Sequence, residues 1–209
     1  MKDVAHWALN IANQRGASYA DARIVDDRSR TLATKNGKIA HAADSESLGI
    51  GIRVIADGAW GFAASDDLSR SAVETTAARA FDIAKASARV KQRDVQLAPE
   101  KPAIAEWITP CKIDPFSTSI EQNLDLLMKI DAELRSVNGV TLAETNLNFH
   151  REEQWFLSSE GANIHQTKYS TGVGYVAYAF AGTEIQKRSY PTSYGGQWQN
   201  KGYELIDEL

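Results

Sequence analysis

Residues 49–65, GIGIRVIADGAWGFAAS, decide the fold class because apolar side chains recur there at every second position. Such alternation is typical of a β-strand that buries one face. The apolar face starts one residue earlier and consists of Leu48, Ile50, Ile52, Val54 and Ala56. Asp57-Gly58 matches a two-residue hairpin turn, after which residues 59–62 return as the next strand. The stretch therefore predicts antiparallel β-structure, with no helix after the glycines that could hold a phosphate.

The residues before this stretch predict a helix followed by a hairpin. Apolar residues recur at helical spacing from Asp3 to Arg15, with Asp3 as the cap and Gly16 just past the end. Alternation with period two begins at Tyr19, and Asn36-Gly37 is the strongest hairpin signal in the chain. With a return strand after that turn, residues 19–62 predict a meander of about four antiparallel strands.

After the meander, the sequence predicts a long helix and then an extended connector. The helix runs from about Ser69 to Val90, with Ser71 and Glu74 at the spacing of a capping box. Its apolar stripe consists of Val73, Ala77, Ala80 and Ala84. Residues 92–116 then hold four of the five prolines. Proline removes backbone donors, so this segment is predicted to be an extended connector.

A further helix and a second group of strands complete the prediction. The helix begins at a capping box formed by Ser119 and Gln122 and ends at Asn138-Gly139. Four strands are predicted to follow, at residues 141–149, 154–158, 162–168 and 172–180. Strands that come in runs favour an α+β fold with antiparallel sheet flanked by helices, whether or not the two halves arose by duplication.

The predicted organisation has three segments: residues 1–91, a proline-rich connector at 92–116, and residues 117–209. Together they are expected to form one composite domain. The composition is that of an ordinary globular protein, with 43% hydrophobic and 24% charged residues. The N-terminus is too polar for a signal peptide and no apolar run reaches membrane-helix length, so a cytoplasmic location is expected. The net charge of −4 argues against a nucleic-acid surface.

No motif in the chain completes a catalytic or binding site. Gly49-Ile50-Gly51 lacks the third glycine of a dinucleotide fingerprint, and residues 172–177, GVGYVA, continue as a strand. The nucleophile motif G-x-S-x-G is absent, and Cys111 is interpreted as an incidental thiol. Adjacent carboxylates at 26–27, 66–67 and 152–153 suit solvated turns or strand ends better than paired acid–base chemistry.

The four histidines lack the spacing of a zinc site. They are His6, His41, His150 and His165, and none has a partner one helical turn away. A site assembled across strands from the last three is conceivable, but ordinary histidines are the favoured interpretation. We therefore predict no catalytic, cofactor-binding or metal-binding residue in this chain.

Several segments resemble the N-terminal half of the TldD/PmbA family, which is also labelled modulator of DNA gyrase. They occur in family order and span nearly the whole chain: GASYADAR at 16–23, NGK at 36–38, SESLGIGIRV at 45–54, DGAWGFA at 57–63, KIDPF at 112–116, SSEG at 158–161, and RSYP at 188–191 with Gly195-Gly196. The sequences of the segments WGFA and RSYP are more similar to the TldD branch than to PmbA.

This resemblance implies a zinc metallopeptidase that trims or degrades peptides and unfolded segments. The family's metal motif, H-E-x-x-x-H, lies in the C-terminal half, so no metal or catalytic residue carries over to these 209 residues. The chain alone is expected to be inactive and to supply walls of the substrate cleft and dimer contacts. The implied partners are a peptide or unfolded protein as substrate and a second family subunit, identical or different. From the charge and the hydropathy, no nucleic-acid or membrane partner is expected.

Two other functions stay open from the sequence. One is a non-catalytic binding or dimerisation module of the PmbA type. The other is direct binding to DNA gyrase or DNA, which rests on the family label alone and which the acidic charge balance opposes.

Overall fold

An open antiparallel sheet of eight strands, accompanied by four α-helices, forms the fold in the computed structural model, which describes residues 1–209. The predicted antiparallel α+β fold class is therefore confirmed. The order of hydrogen-bonded neighbours is β3-β2-β1-β5-β6-β4, and β7 and β8 both pair with β6. The elements in chain order are α1 (Lys2–Gln14), β1 (Tyr19–Lys35), β2 (Lys38–Ala56), β3 (Ala59–Ser65), α2 (Arg70–Ala88), β4 (Ile104–Ile108), α3 (Ile120–Ser136), β5 (Val140–Ser158), β6 (Asn163–Ala181), β7 (Glu184–Tyr190), β8 (Gln197–Gln199) and α4 (Glu204–Asp207).

Internal contacts divide the chain into two compact units. The first consists of Met1–Asp27, Ser47–Trp107 and Glu152–Thr167, and the second of Arg28–Glu46, Ile108–Arg151 and Lys168–Leu209. The long strands β1, β2, β5 and β6 contribute residues to both units. The division into residues 1–91, 92–116 and 117–209 stays a prediction.

In the first unit, α1 and α2 pack on one face of the sheet. The predicted stripe of α2 is fully buried there, against Ile50, Ile52 and Val54 of β2. Gly61 of β3 makes this packing close, because a Cβ at that position would overlap the backbone of Ala80 and Ala84 in α2. Small residues on both surfaces thus bring helix and strand backbones into direct contact.

The core of the second unit is smaller and more aromatic. Leu32, Leu127, Leu147 and Phe149 are buried together, and Phe116 packs against them. Helix α3 faces this core, but it also buries two polar side chains that its apolar pattern does not predict, Asn123 and Asp131.

The predicted turns are confirmed by their backbone angles. Asn36 and Gly37 have φ angles of 49° and 74°, and Asp57 and Gly58 have 49° and 72°, as a type I′ turn requires. Ser119 and Gln122 form the predicted capping box at the start of α3.

Two predicted helix caps are wrong. The N-cap of α1 is Met1 and makes no side-chain cap bond, so that Asp3 lies in the first turn. The N-cap of α2 is Ser69, whose hydroxyl accepts from the Ala72 amide, whereas Ser71 lies inside the helix. Ser69 is fixed in turn by Asp67, whose carboxylate accepts from the Ser69 amide at 2.7 Å.

The predicted meander of about four strands has only three, because β2 runs without a break from Lys38 to Ala56. The polar residues in its middle pair with β1 and so stay extended. Asp44 accepts from Arg30 at 2.7 Å, and the hydroxyls of Ser45 and Ser29 are 2.8 Å apart. The four strands predicted after α3 are in fact two long strands, β5 and β6, which a turn at residues 159–161 separates.

The proline-rich connector is not entirely extended coil. Its proline-free stretch Ile104–Ile108 forms β4, which pairs with β6, and one 3-10 turn lies at Pro115–Ser117. Strands β7 and β8 and helix α4 were not predicted. None of the helices combines the length and the apolarity needed to cross a membrane.

Candidate functional site

A groove of about 480 Å³ lies on the sheet face of the first unit that is opposite to the helices. Because side chains alternate along a strand, the residues between the core positions of β1, β2 and β3 point to this face. The residues that line the groove are Asp21, Arg23, Val25, Ser47, Leu48, Gly49, Ile50, Gly51, Arg53, Phe62, Ala64 and Ser65. The quoted stretch, residues 49–65, therefore supplies most of its surface.

An ion pair between neighbouring strands closes the polar part of the groove. The carboxylate of Asp21, only 2% exposed, accepts from Arg53 Nε at 3.0 Å and from a terminal guanidinium nitrogen at 2.7 Å. This hydrogen bonding raises the pKa of Arg53, so its charge is fixed in the folded protein. Asp21 is thereby neutralised and leaves little negative charge for a ligand.

Two aromatic rings hold Arg53 in place. Its guanidinium lies 5.1 Å from the centre of the Trp60 ring, and Tyr19 meets Trp60 edge to face at 5.8 Å. Burial, followed by the charge of Asp21, raises the pKa of the Tyr19 hydroxyl to about 12. Tyr19 is therefore protonated at neutral pH, and its neutral side chain packs beside the ion pair without adding a charge.

The apolar part of the groove depends on the glycines of β2. A Cβ on Gly51 would approach the Phe62 ring to 3.1 Å, and one on Gly49 would approach the Ser65 carbonyl oxygen to 3.2 Å. Phe62 is directly opposite Arg53 in the β2–β3 register and is 56% exposed. The glycines thus make room for Phe62 and the groove beside it, whereas Gly61 is the glycine at which a helix packs closely.

A second polar cluster of the first unit surrounds His165. The ring nitrogens Nδ1 and Nε2 contact Glu106 at 2.9 Å and Glu153 at 2.8 Å, respectively. Trp155 stacks on the imidazole at 5.0 Å with an angle of 9° between the planes. The cluster joins residues of β4, β5 and β6.

This cluster does not fit a metal ion. A metal would need one ring nitrogen and both carboxylates to converge on a single point. Here each carboxylate contacts a different nitrogen, so the two oxygens lie on separate sides of the ring. No group of three potential ligand side chains in the chain is arranged to hold a metal.

The other candidate residues from the sequence do not meet in one place. His6 is exposed on α1 and His41 is exposed on β2, while His150 is half-buried on β5. His41 and His150 belong to the second unit and His165 to the first. No group of three potential metal-ligand side chains includes these histidines.

Ser158 and Ser159 have structural partners. The Ser158 hydroxyl accepts from the Ala162 amide at 3.2 Å, and the Ser159 hydroxyl accepts from the Ala20 amide at 3.0 Å. The hydroxyls thus fix the turn at residues 159–161 and the neighbouring strand β1. Both serines are explained by turn geometry rather than by nucleophilic chemistry.

Cys111 is half-buried and donates to the Ile113 carbonyl oxygen at 3.2 Å. Burial and the nearby charges of Glu204 and Asp114 raise the pKa of its thiol. A thiol with a raised pKa is a poor nucleophile at neutral pH.

The GVGYVA segment is a strand whose glycines allow close packing. A Cβ on Gly174 would overlap the backbone of Gly195 and Gly196, and one on Gly172 would overlap the Trp198 ring. The interpretation of these glycines as packing positions in a strand is confirmed.

The KIDPF segment is held by a buried carboxylate near the end of the chain. Glu204 accepts from the backbone amides of Lys112 and Ile113, both at 3.1 Å, and from Gly202 at 3.3 Å. Burial raises the pKa of Glu204, but these backbone hydrogen bonds outweigh it, so that the net shift is downward. Phe116 of the same segment lies against Phe149 and beneath the guanidinium of Arg28 at 4.5 Å.

Two domains of a known metallopeptidase family match successive segments of the chain. The profile of the PmbA/TldA metallopeptidase domain 1 matches residues 20–84, and that of the PmbA/TldA metallopeptidase central domain matches residues 113–208. Together the two matches cover well over half of the chain. This chain belongs to the PmbA/TldD family.

Relatives with curated names agree with this assignment. A metalloprotease of Methanocaldococcus jannaschii is 29% identical over 148 residues, which are 70% of this chain and 32% of that protein. A metalloprotease of Methanothermobacter thermautotrophicus is 27% identical over 192 residues, which are 91% of this chain and 40% of that protein. The PmbA/TldD chain described here thus spans less than half the length of these relatives.

Solved structures show the same fold at low sequence identity. A protein of Bacteroides thetaiotaomicron, described as a candidate modulator of DNA gyrase, aligns over 96% of this chain and 45% of its own, with a TM-score of 0.76 and 13% identity. TldE of Thermococcus kodakarensis aligns over 96% of this chain and 43% of its own, with a TM-score of 0.68 and 14% identity.

Proposed function

We propose that these 209 residues are the N-terminal, non-catalytic part of a TldD-like zinc metallopeptidase that trims or degrades peptides and unfolded segments. The observation that carries the proposal is the match to domain 1 and to the central domain of this metallopeptidase family, in that order along the chain. The names of the two archaeal relatives support the same class of activity.

We place the metal in a part of the protein outside these residues. The side chains present do not fit a metal ion, and the chain covers only 32% and 40% of the two metalloprotease relatives. The family resemblance assigns the zinc to an H-E-x-x-x-H motif in the C-terminal half. No step of peptide hydrolysis is therefore assigned to a residue of this chain.

The role proposed for this chain is to form walls of the substrate cleft and contacts with a second family subunit. Its open sheet supports the first role, because exposed strands and grooves bind extended peptides with little dependence on sequence. The groove beside Phe62 is the apolar concave surface best suited to a peptide side chain.

The activity is tested on the polypeptide translated from the complete coding sequence. We expect that sequence to contain H-E-x-x-x-H, the purified protein to hold about one zinc ion per chain, and a chelator to abolish cleavage of an unfolded protein such as casein. A complete protein without the motif and without bound metal would instead identify a non-catalytic module of the PmbA type.

The wall role is tested by photo-crosslinking a bound peptide to the complete protein. We expect labelled residues within 1–209 as well as in the metal-binding half. Labels confined to the metal-binding half would contradict the role proposed for this chain.

A further inference from the structure

One cation on the rim of the groove has no carboxylate partner. Arg23 lines the groove and is exposed, and its guanidinium carbon lies over the ring of Phe156, 5.4 Å from the ring centre. The other arginine of the groove, Arg53, is already bound to Asp21 through two nitrogens. Arg23 therefore keeps its hydrogen-bond donors for a ligand, and stacking on Phe156 limits the conformations of its side chain.

The surface next to Arg23 is apolar. Val25, Phe62 and Ala64 provide it, and Phe62 is 56% exposed. The volume of about 480 Å³ lies in the lower part of the range of small-molecule sites. A groove of this size accommodates the end of a short peptide better than a long segment.

We propose that this groove binds the C-terminal end of an apolar peptide, with the terminal carboxylate on Arg23 and the last side chain against Phe62. This inference rests on the proposed function and specifies which part of a peptide the chain recognises. A C-terminal residue offers a carboxylate and a side chain on the same carbon atom, which matches one free guanidinium beside an apolar wall. Hydrolysis of a peptide bond also leaves a new carboxylate at the end of one fragment, so both a substrate end and a product end carry this group.

Fluorescence anisotropy with the 209-residue chain tests the proposal. The probe is a fluorescein-labelled pentapeptide of four alanines and a final leucine, as the free acid and as the C-terminal amide. We expect the acid to bind about tenfold more tightly than the amide, the difference typical of a hydrogen-bonded charge pair. Equal binding of the two peptides, or no binding of either, would overturn the proposal.

Two variants separate the carboxylate contact from general charge. Arg23→Gln is expected to bind acid and amide equally, whereas Arg79→Gln, the same charge change on the exposed surface of α2, keeps the preference. Ala64→Trp is expected to weaken binding of both peptides because the indole fills the groove. If Arg23→Gln keeps the preference for the acid, the proposal is wrong, whether or not Ala64→Trp folds.

Other occupants give distinct results. An amidated peptide with an internal glutamate that binds as tightly as the free acid would identify an acidic side chain as the ligand and contradict the proposal. Self-association of the chain would also contradict the proposal if it is lost in Arg23→Gln and the peptide does not displace it. Cleavage of casein by the complete protein is measured separately, so a failure of this inference is distinguishable from a failure of the proposed function.

Discussion

At the scale of single residues, Gly61 shows how one missing side chain sets the distance between a helix and a strand. A Cβ there would overlap the Ala80 carbonyl oxygen and the Ala84 amide nitrogen of α2. These are backbone atoms and cannot turn aside, so the helix would have to move. We expect Gly61→Ala to lower the free energy of unfolding by about 1–3 kcal/mol, measured by urea denaturation.

Gly51→Ala is the matched control for that substitution. Its added methyl would meet only the Phe62 ring, which is half exposed and can rotate away. We expect a change below about 1 kcal/mol. Equal losses in the two variants would show that the approach of α2 is not what requires glycine at position 61.

Asp131 is a second residue whose role comes from its contacts rather than from its place in a pattern. Fully buried on α3, it accepts from the Gly37 amide at 2.7 Å, from Arg135 Nε at 2.6 Å and from the Thr34 hydroxyl at 3.1 Å. It thereby ties α3 to the turn between β1 and β2.

Removal of this carboxylate is expected to be costly. Asp131→Ala leaves the Gly37 amide without its acceptor, so we expect a loss of about 1–3 kcal/mol in the free energy of unfolding. The control Asp125→Ala removes an exposed carboxylate from the same helix and should change it by less than about 0.5 kcal/mol. A similar loss in both variants would contradict a specific role for Asp131.

At the scale of elements, the attachment of α4 to the KIDPF segment depends on pH. The backbone amides that bind Glu204 hold its pKa below the ordinary value of 4.5. A carboxyl with a lowered pKa in the folded state stabilises the protein fully above its unfolded pKa, and this contribution is lost as the pH falls through the folded value.

Glu204→Gln tests this dependence because the amide has a similar shape but no charge. We expect the variant to be less stable than the wild type at pH 7 and the difference to shrink as the pH falls below about 4.5, measured by urea denaturation at each pH. A difference that is the same at pH 7 and pH 3 would show that the charge of Glu204 does not contribute.

The strands show where local sequence patterns stop being informative. Asp44-Ser45-Glu46-Ser47 looks like a break between two strands, yet β2 passes through it because Arg30 and Ser29 of β1 bind Asp44 and Ser45. Polar residues keep a strand extended when the neighbouring strand supplies partners. These partners lie more than ten residues away along the chain, which is why the pattern alone predicted an extra strand.

At the scale of the whole molecule, the predicted absence of catalytic and metal-binding residues is open to direct measurement. We expect the 209-residue chain to bind no stoichiometric zinc and to release no fluorophore from a quenched peptide, whereas the complete protein does both. Elemental analysis and a fluorescence assay measure the two properties. Zinc bound at one ion per chain by residues 1–209 would contradict the location proposed for the metal.

Direct binding to DNA or to DNA gyrase is the remaining hypothesis, and it rests on the family label alone. The net charge of −4 predicts only weak association that disappears as salt is raised, measured by anisotropy with a labelled duplex. Binding that persists at physiological salt would require a basic surface that the sequence does not indicate.

The sequence by itself determined the antiparallel α+β class, both type I′ turns, the cap of α3 and the membership of the family. The fold class, the turns and the cap depend on neighbouring residues, whose backbone preferences and periodicity act over a few positions, whereas the family follows from the resemblance of whole segments. Only the tertiary structure decided that Asp21 pairs with Arg53, that His165 lies between two carboxylates, and that residues 49–65 line a groove with Arg23 at its rim. Each of these arrangements joins residues of different strands, and side chains far apart in the sequence become neighbours only when the strands pair.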